Sequence, residues 1–190
     1  MTDQIPNRLW RKVGQVGLAI VAALAVVVGV ASPAYANFPH FQSSSVTLTS
    51  STLATAGSAT SSGSALVQLP NVLFSWTEVG LGTPDVTYKL STLVTVTFGC
   101  VNGGAKHPSA SNKTTVAVPN ETTVDLKADK NGRITGSVVL VIPAVSSGDF
   151  SCPSGQTLVA LSATFTDNTI MDMTNGVTAT DEDISVTLFP

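Results

Sequence analysis

The residues best suited to chemistry lie together in one stretch, FGCVNGGAKHPSASNKT, which covers residues 98–114. It holds His107, one of the two histidines of the chain, next to Lys106 and close to Ser109. A histidine that acts as a general base needs an orienting carboxylate and a nearby nucleophile, and the chain contains no G-x-S-x-G nucleophile elbow. We therefore predict a solvated loop with no catalytic residue, whose candidate contact residues are Asn102, Lys106, His107 and Asn112.

Acidic residues gather in two predicted turns, one with Asp167 and Asp172 and the other at residues 181–183. Calcium takes about six to eight oxygen ligands, and the chain has no D-x-D-x-D-G loop that could supply them. We expect solvated turns, and we predict no metal and no cofactor, with calcium binding as the weaker alternative. Sugar-binding sheets present exposed aromatic side chains, whereas Trp76 and Tyr88 fall on predicted core faces, which weakens a carbohydrate-binding interpretation.

The chain has two cysteines, Cys100 and Cys152. Two cysteines in an exported protein usually form one disulfide, and their wide spacing does not match a C-x-x-C redox motif. We predict a Cys100–Cys152 disulfide. It would close a loop of about 50 residues, which is worth roughly 4 kcal/mol in the chain-entropy model. A thiol pair for redox work or metal binding is the weaker alternative.

Residues 1–36 have the features of a signal peptide. A basic start precedes an unbroken apolar run over residues 16–31 and an A-x-A motif that ends at Ala36. We predict cleavage between Ala36 and Asn37 and secretion of the remaining chain to the extracellular space. The apolar run is shorter than the roughly 20 residues that a membrane-spanning helix needs, so an uncleaved membrane anchor is the weaker alternative.

The charge balance excludes one class of partner. The whole chain has nine basic and twelve acidic residues and a net charge of −3. Removing residues 1–36 takes away three basic residues and one acidic residue, which leaves six and eleven and a net charge of −5. Such a chain repels a phosphate backbone, so we predict no nucleic-acid partner. We also expect no membrane association after the signal is removed.

Beyond the signal, apolar and polar residues alternate with a period of two. In residues 86–100 nearly every even position is apolar and the odd positions are mostly polar, so one set faces a core and the other faces solvent. This pattern predicts one long strand, or two strands joined by a bulge near Ser91-Thr92. The dipeptide Asn131-Gly132 between two alternating runs predicts a β-hairpin. The other predicted strands lie at residues 72–76, 116–118, 124–128, 134–142, 157–165, 169–173 and 184–188, with weaker candidates at 46–53 and 65–69.

About eight or nine short strands with turns between them and no convincing helix predict an all-β fold, an antiparallel β-sandwich of immunoglobulin-like form. Trp76 lies outside the interval between the two cysteines, so the Cys…Trp…Cys order of true immunoglobulin domains is absent. We expect three parts: the signal peptide at 1–36, a Ser/Thr-rich leader at 37–64 with a candidate edge strand, and the β-sandwich domain at 65–190.

Four stretches of the chain resemble a group of uncharacterised small secreted β-rich proteins of actinomycete bacteria. They are SWTEVGLG at 75–82, VTFGCVNGGAKHPSASNKT at 96–114, NGRITGSV at 131–138 and CPSGQTLVALSATFTDNTI at 152–170. The resemblance implies export and a β-rich domain, and it supplies no catalytic residues.

These features together lead us to expect a secreted, non-catalytic structural or binding module. It would contact an unknown extracellular or cell-surface partner through loops held on a rigid frame. Two alternatives stay open. One is a secreted hydrolase whose site has no recognisable motif, and the other is a small protease inhibitor that presents the loop at residues 100–113.

Overall fold

A computed structural model of the chain describes residues 38–49, 64–82, 84–102 and 112–189. Within these ranges the protein is all β, with ten strands and no α-helix. The predicted all-β class is therefore confirmed. The predicted signal peptide, with its cleavage point between Ala36 and Asn37, lies outside the described residues.

The ten strands differ greatly in length. Three of them, β4, β5 and β8, run for 18, 15 and 17 residues. The bounds in chain order are β1 (His40–Leu48), β2 (Leu66–Val67), β3 (Val72–Val79), β4 (Asp85–Asn102), β5 (Lys113–Lys127), β6 (Arg133–Leu140), β7 (Val145–Ser146), β8 (Gln156–Asp172), β9 (Val177–Thr180) and β10 (Ile184–Thr187).

The strands form two antiparallel sheets and a short ribbon. The smaller sheet has the order β1–β3–β6. The larger sheet has the order β5–β4–β8, and two short strands, β10 and β9, pair with different halves of β8. The ribbon consists of β2 and β7. The long strand β4 is therefore central, since it pairs with both β5 and β8.

One hydrophobic core lies between the two sheets. The even-numbered residues of β3 and β4 are buried except for the terminal Asn102, whereas nearly all of the odd-numbered ones are at least partly exposed. Trp76 of the smaller sheet lies against Tyr88 of the larger sheet, with ring centroids 4.9 Å apart and planes inclined by 55°. Such tilted aromatic pairs add to the hydrophobic stabilisation that burial of the apolar faces provides. The period-two pattern of the sequence thus predicts the core face correctly.

The structure has one continuous strand here, β4, so the first of the two alternatives for residues 86–100 is confirmed. The register shift near Ser91-Thr92 does not divide β4, because the extra residue lies in its partner strand β8. Where the register between β4 and β8 shifts, Thr92 lies opposite two residues of β8, Asp167 and Asn168. The Thr92 hydroxyl donates to Asn168 Oδ1 at 2.8 Å, and Asn168 Nδ2 donates to the carbonyls of Phe165 and Glu182 at 3.1 and 2.8 Å. Both side chains are buried, so these bonds satisfy polar groups that would otherwise be costly.

The predicted hairpin at Asn131-Gly132 is wrong. The turn itself forms, because Gly132 adopts a positive φ of 69° and Asp129 Oδ1 accepts from the backbone N–H groups of Asn131 and Arg133 at 2.8 and 3.0 Å. However, β5 belongs to the larger sheet and β6 to the smaller one. The turn carries the chain from one sheet to the other, so its local chemistry does not decide which strands pair.

Several strands were predicted in pieces. The runs at 116–118 and 124–128 belong to one strand, β5, which continues through Pro119 opposite Leu93. Among the described strands β5 pairs with β4 alone, and an edge strand tolerates a proline because one side of it needs no N–H donor. The runs at 157–165 and 169–173 likewise join in β8, and the four-residue β9 was not predicted.

The strand β1 lies in the segment expected to be a Ser/Thr-rich leader. It pairs with β3 and forms an outer strand of the smaller sheet, with a register shift between Phe41 and Ser43. The partly buried Phe41 packs towards Tyr88, with ring centroids 6.4 Å apart. The first strand thus helps to cover the core.

Replacing Gly136 with alanine should destabilise the protein by roughly 1–3 kcal/mol. Gly136 pairs with Trp76 across the smaller sheet, and a Cβ at this position would overlap the Trp76 indole. Urea unfolding followed by circular dichroism measures the change. Ser137→Ala, on the exposed face of the same strand, is the control and should stay within about 0.5 kcal/mol of the wild type. Equal stability of the Gly136→Ala variant and the wild type would contradict this packing.

Candidate functional site

The predicted disulfide is present between Cys100, near the end of β4, and Cys152, in the segment between β7 and β8. The Cα atoms lie 5.5 Å apart, and both residues are buried within the main core. The bridge therefore fixes the point at which β4 leaves the sheet and enters the loop that the sequence singles out.

Two of the four candidate contact residues lie in the described part of the chain. Asn102 is the exposed last residue of β4, and its Cα pairs with Gln156 of β8. Asn112 is partly buried and directly precedes β5. The other two, Lys106 and His107, lie outside the described residues. Both ends of the loop are thus held by the long strands of the larger sheet.

The predicted acidic turns have different environments. Glu182 and Asp183 are exposed, and Asp181 Oδ1 accepts a hydrogen bond from the Ser44 hydroxyl at 3.2 Å. The expectation of a solvated turn is wrong for Asp172, which is fully buried at the end of β8. Its carboxylate accepts from the Thr174 and Asn175 N–H groups at 2.8 and 2.9 Å, because the chain turns back over it towards β9.

A buried polar cluster that the sequence did not reveal lies between the two sheets. We call the set of Trp76, Glu78, Tyr88 and Asp172 the acidic core cluster; all four side chains are buried. The Tyr88 hydroxyl donates to Glu78 Oε2 at 2.8 Å, which joins β3 of the smaller sheet to β4 of the larger one. The Cα of Asp172 pairs with that of Tyr88 in the larger sheet.

The environment of the acidic core cluster strongly shifts two proton equilibria. Burial raises the pKa of Glu78 from 4.5 to about 7, and the nearby Asp172 charge adds to this rise. The Tyr88 hydroxyl and His40 act in the opposite direction on the same pKa. Burial and the hydrogen bond to Glu78 also raise the pKa of Tyr88 far above its ordinary value of 10.0.

One signal in the sequence could have found Glu78. It occupies the fourth inward position of β3, after Val72, Phe74 and Trp76. An acidic residue in phase with an apolar face must be buried if the strand continues, and a buried acid needs a partner. The predicted alternation covers only residues 72–76, so it assigns no position to Glu78.

The buried carboxyl groups of the described residues do not form an open site. Glu78 and Asp172 are the two buried carboxyl groups, and neither is accessible to a solute. No group of three or more histidine, cysteine, aspartate or glutamate residues lies close enough to hold a metal in this part of the chain. As predicted, Trp76 and Tyr88 face the core and are not exposed platforms for a sugar ring.

Within the described ranges, the protein has no helix that is long and apolar enough to span a membrane. No protein-family model, curated protein sequence or solved structure matches the chain.

Replacing both Cys100 and Cys152 with alanine should lower the free energy of unfolding by about 4 kcal/mol, since the bridge spans 52 residues and restricts the unfolded chain. Urea unfolding of the oxidised wild type and the double variant measures the difference. Reducing agent should abolish it, because the wild type then loses the same restriction. A difference that survives reduction would assign the loss to packing instead.

Glu78→Gln should make stability less dependent on pH. The pKa of Glu78 is higher in the folded state than in the unfolded state. Protonated Glu78 therefore contributes to the free energy of unfolding, fully below about pH 4.5, and this contribution is lost as the pH rises through about 7. Between pH about 5.5 and about 8, this loss amounts to about 2 kcal/mol in the wild type. Urea unfolding at both pH values measures the change in the free energy of unfolding. The decrease between the two pH values should be about 2 kcal/mol smaller in Glu78→Gln than in the wild type, whereas the exposed control Glu182→Gln should show the same decrease as the wild type. Identical pH dependence in all three proteins would contradict the raised pKa.

Proposed function

We propose that the protein is a secreted, non-catalytic binding or structural module that acts outside the cell. Its two sheets would form an immunoglobulin-like β-sandwich, and its contact surface would be the disulfide end of the domain. We define the disulfide end as Cys100–Cys152, Asn102, Asn112 and the turn at residues 153–155. We include in this proposal that the protein belongs to the group of secreted actinomycete proteins that its sequence resembles.

Export is supported by two independent features. Residues 1–36 carry a basic start, an apolar run and the A-x-A motif of a signal peptide. The Cys100–Cys152 disulfide fits a protein that matures in an oxidising compartment, because cytosolic thiols are kept reduced. With the signal removed, no membrane anchor and no nucleic-acid partner would be expected.

The observation that carries the proposed contact surface is the bridge at the base of the loop. The disulfide joins the β4 end of the loop to the segment before β8, and Asn102 pairs with Gln156 beside it. Residues 153–155 are exposed next to this point, and Gln156 N–H donates to the Pro153 carbonyl at 3.1 Å. A covalently fixed base lowers the entropy that a loop loses when it binds, which favours recognition.

A binding role also agrees with the placement of the ionisable residues. The two fully buried acids, Glu78 and Asp172, are enclosed in the core and hydrogen-bonded to neighbouring groups. Hydrolysis would need such groups to meet a substrate at hydrogen-bonding distance. The buried acids therefore support a structural role, and the hydrolase alternative gains nothing from them.

Affinity capture with the immobilised protein tests the proposal. The bait would be exposed to culture supernatant and to cell-wall extract of the producing bacterium, and captured proteins would be identified by mass spectrometry. The loop variant Lys106→Ala, His107→Ala, Asn112→Ala should lose the specific partner. The control Lys127→Ala, Lys130→Ala changes the opposite end of β5 and should retain it. Circular dichroism and disulfide mapping verify the fold of each bait. Equal capture by both variants would refute the loop as the contact surface.

A further inference from the structure

The acidic core cluster lies under the side of the molecule where β1 and β9 are neighbours. Tyr88 packs towards Phe41 of β1, and Asp172 pairs with Val177, the first residue of β9. A surface groove of about 530 Å³ separates β1 from β9 and is lined by residues 40–44 and 177–180. The four residues of β9 pair with β8 alone, and β1 pairs with β3 alone. We call this region the β1–β9 edge.

The charged groups around Glu78 are few. Tyr88 donates to it from β4, Asp172 faces it from β8, and His40 acts on it from β1. The strand β9 contains no titratable residue, and β6 places Ile134 opposite Glu78. The cross-strand partners of Glu78 in the smaller sheet are Phe41 and Ile134, so neither of them is a lysine or an arginine. A negative charge on Glu78 would therefore lie beside the Asp172 carboxylate, and the groups that favour it are the Tyr88 hydroxyl and His40.

The hydrogen bonds assign the proton of this pair to Glu78. The Asp172 carboxylate already accepts three hydrogen bonds, the third from Asn175 Nδ2 at 2.6 Å. Glu78 accepts one from Tyr88, and its Oε1 atom is buried without a hydrogen-bond partner. Glu78 thus has the weaker set of donors, and a buried carboxyl group with few donors favours its neutral form.

We propose that the acidic core cluster is a pH-operated latch that holds the β1–β9 edge closed while Glu78 carries a proton. When Glu78 loses this proton, two buried carboxylates repel each other in a medium of low dielectric constant. Glu78 pairs with Phe41 of β1, and Asp172 pairs with Val177 of β9, so each carboxyl group has a strand of this edge as its direct neighbour. Opening of the edge relieves the repulsion and admits solvent to Glu78. This device is independent of the function proposed above.

Amide hydrogen exchange of the full chain tests the latch, with intrinsic rates corrected for pH. Between pH about 5.5 and about 8, the opening equilibrium of β1 and β9 should rise by roughly thirtyfold in the wild type, as expected for a group whose pKa falls from about 7 in the closed state to 4.5 when exposed. Amides of β5, which lies at the opposite side of the larger sheet, are the internal reference and should change much less. In Glu78→Gln the rise should disappear. Equal rises in β1, β9 and β5, or a rise that persists in Glu78→Gln, would overturn the latch.

Tyr88→Phe provides a second test, the pH midpoint of β1–β9 opening, which would not change if Tyr88 only packed in the core. The Tyr88 hydroxyl lowers the pKa of Glu78, because it stabilises the ionised carboxylate. Its removal should shift the midpoint of β1–β9 opening to higher pH, even if the overall stability also falls. An unchanged or lowered midpoint would contradict the latch. This measurement needs only the wild type and Tyr88→Phe, so it remains decisive should Glu78→Gln fail to fold.

Discussion

The structure depends on the contact between the inward faces of β3 and β4. Each sheet satisfies its own backbone hydrogen bonds, but neither can bury its apolar face alone. Trp76 and Tyr88 meet across the core, and the smaller sheet accommodates the indole by having glycine at position 136. The central strand β4 then orders the larger sheet, since it pairs with long strands on both sides. The strands β1 and β9 cover this contact, with Phe41 and Ala179 packed against the core.

The polar groups inside this core join strands and sheets through hydrogen bonds. Thr92 and Asn168 tie the bulge of β4 and β8 to the chain before β10, and Tyr88 and Glu78 tie the two sheets together. Buried polar groups of this kind are worth little as net stability but fix one arrangement, because any other leaves them unpaired. For the same reason the acidic core cluster is sensitive to pH, since loss of one proton from Glu78 places two negatively charged carboxylates side by side.

Much of the fold could be predicted from period-two alternation. The pattern located β4 and the burial of Trp76 and Tyr88, because these depend on which face a side chain occupies. It failed where the outcome depends on distant parts of the chain. Asn131-Gly132 makes a proper turn yet joins two sheets, and Pro119 lies within a strand because that strand is at an edge. Of the candidate site, the sequence predicted the disulfide but missed Glu78, whose role appears only when β3 faces β4.

The hydrogen bond from Tyr88 to Glu78 inside a closed core can be tested most directly by alkaline titration of tyrosine absorbance. In the chain from Asn37 onwards Tyr88 is the only tyrosine, so the signal belongs to one residue. No phenolate should form near the ordinary tyrosine pKa of 10.0, and Tyr88 should ionise only together with unfolding, which circular dichroism follows in the same sample. Reversible ionisation of Tyr88 near that value, with the β-sheet signal intact, would contradict it.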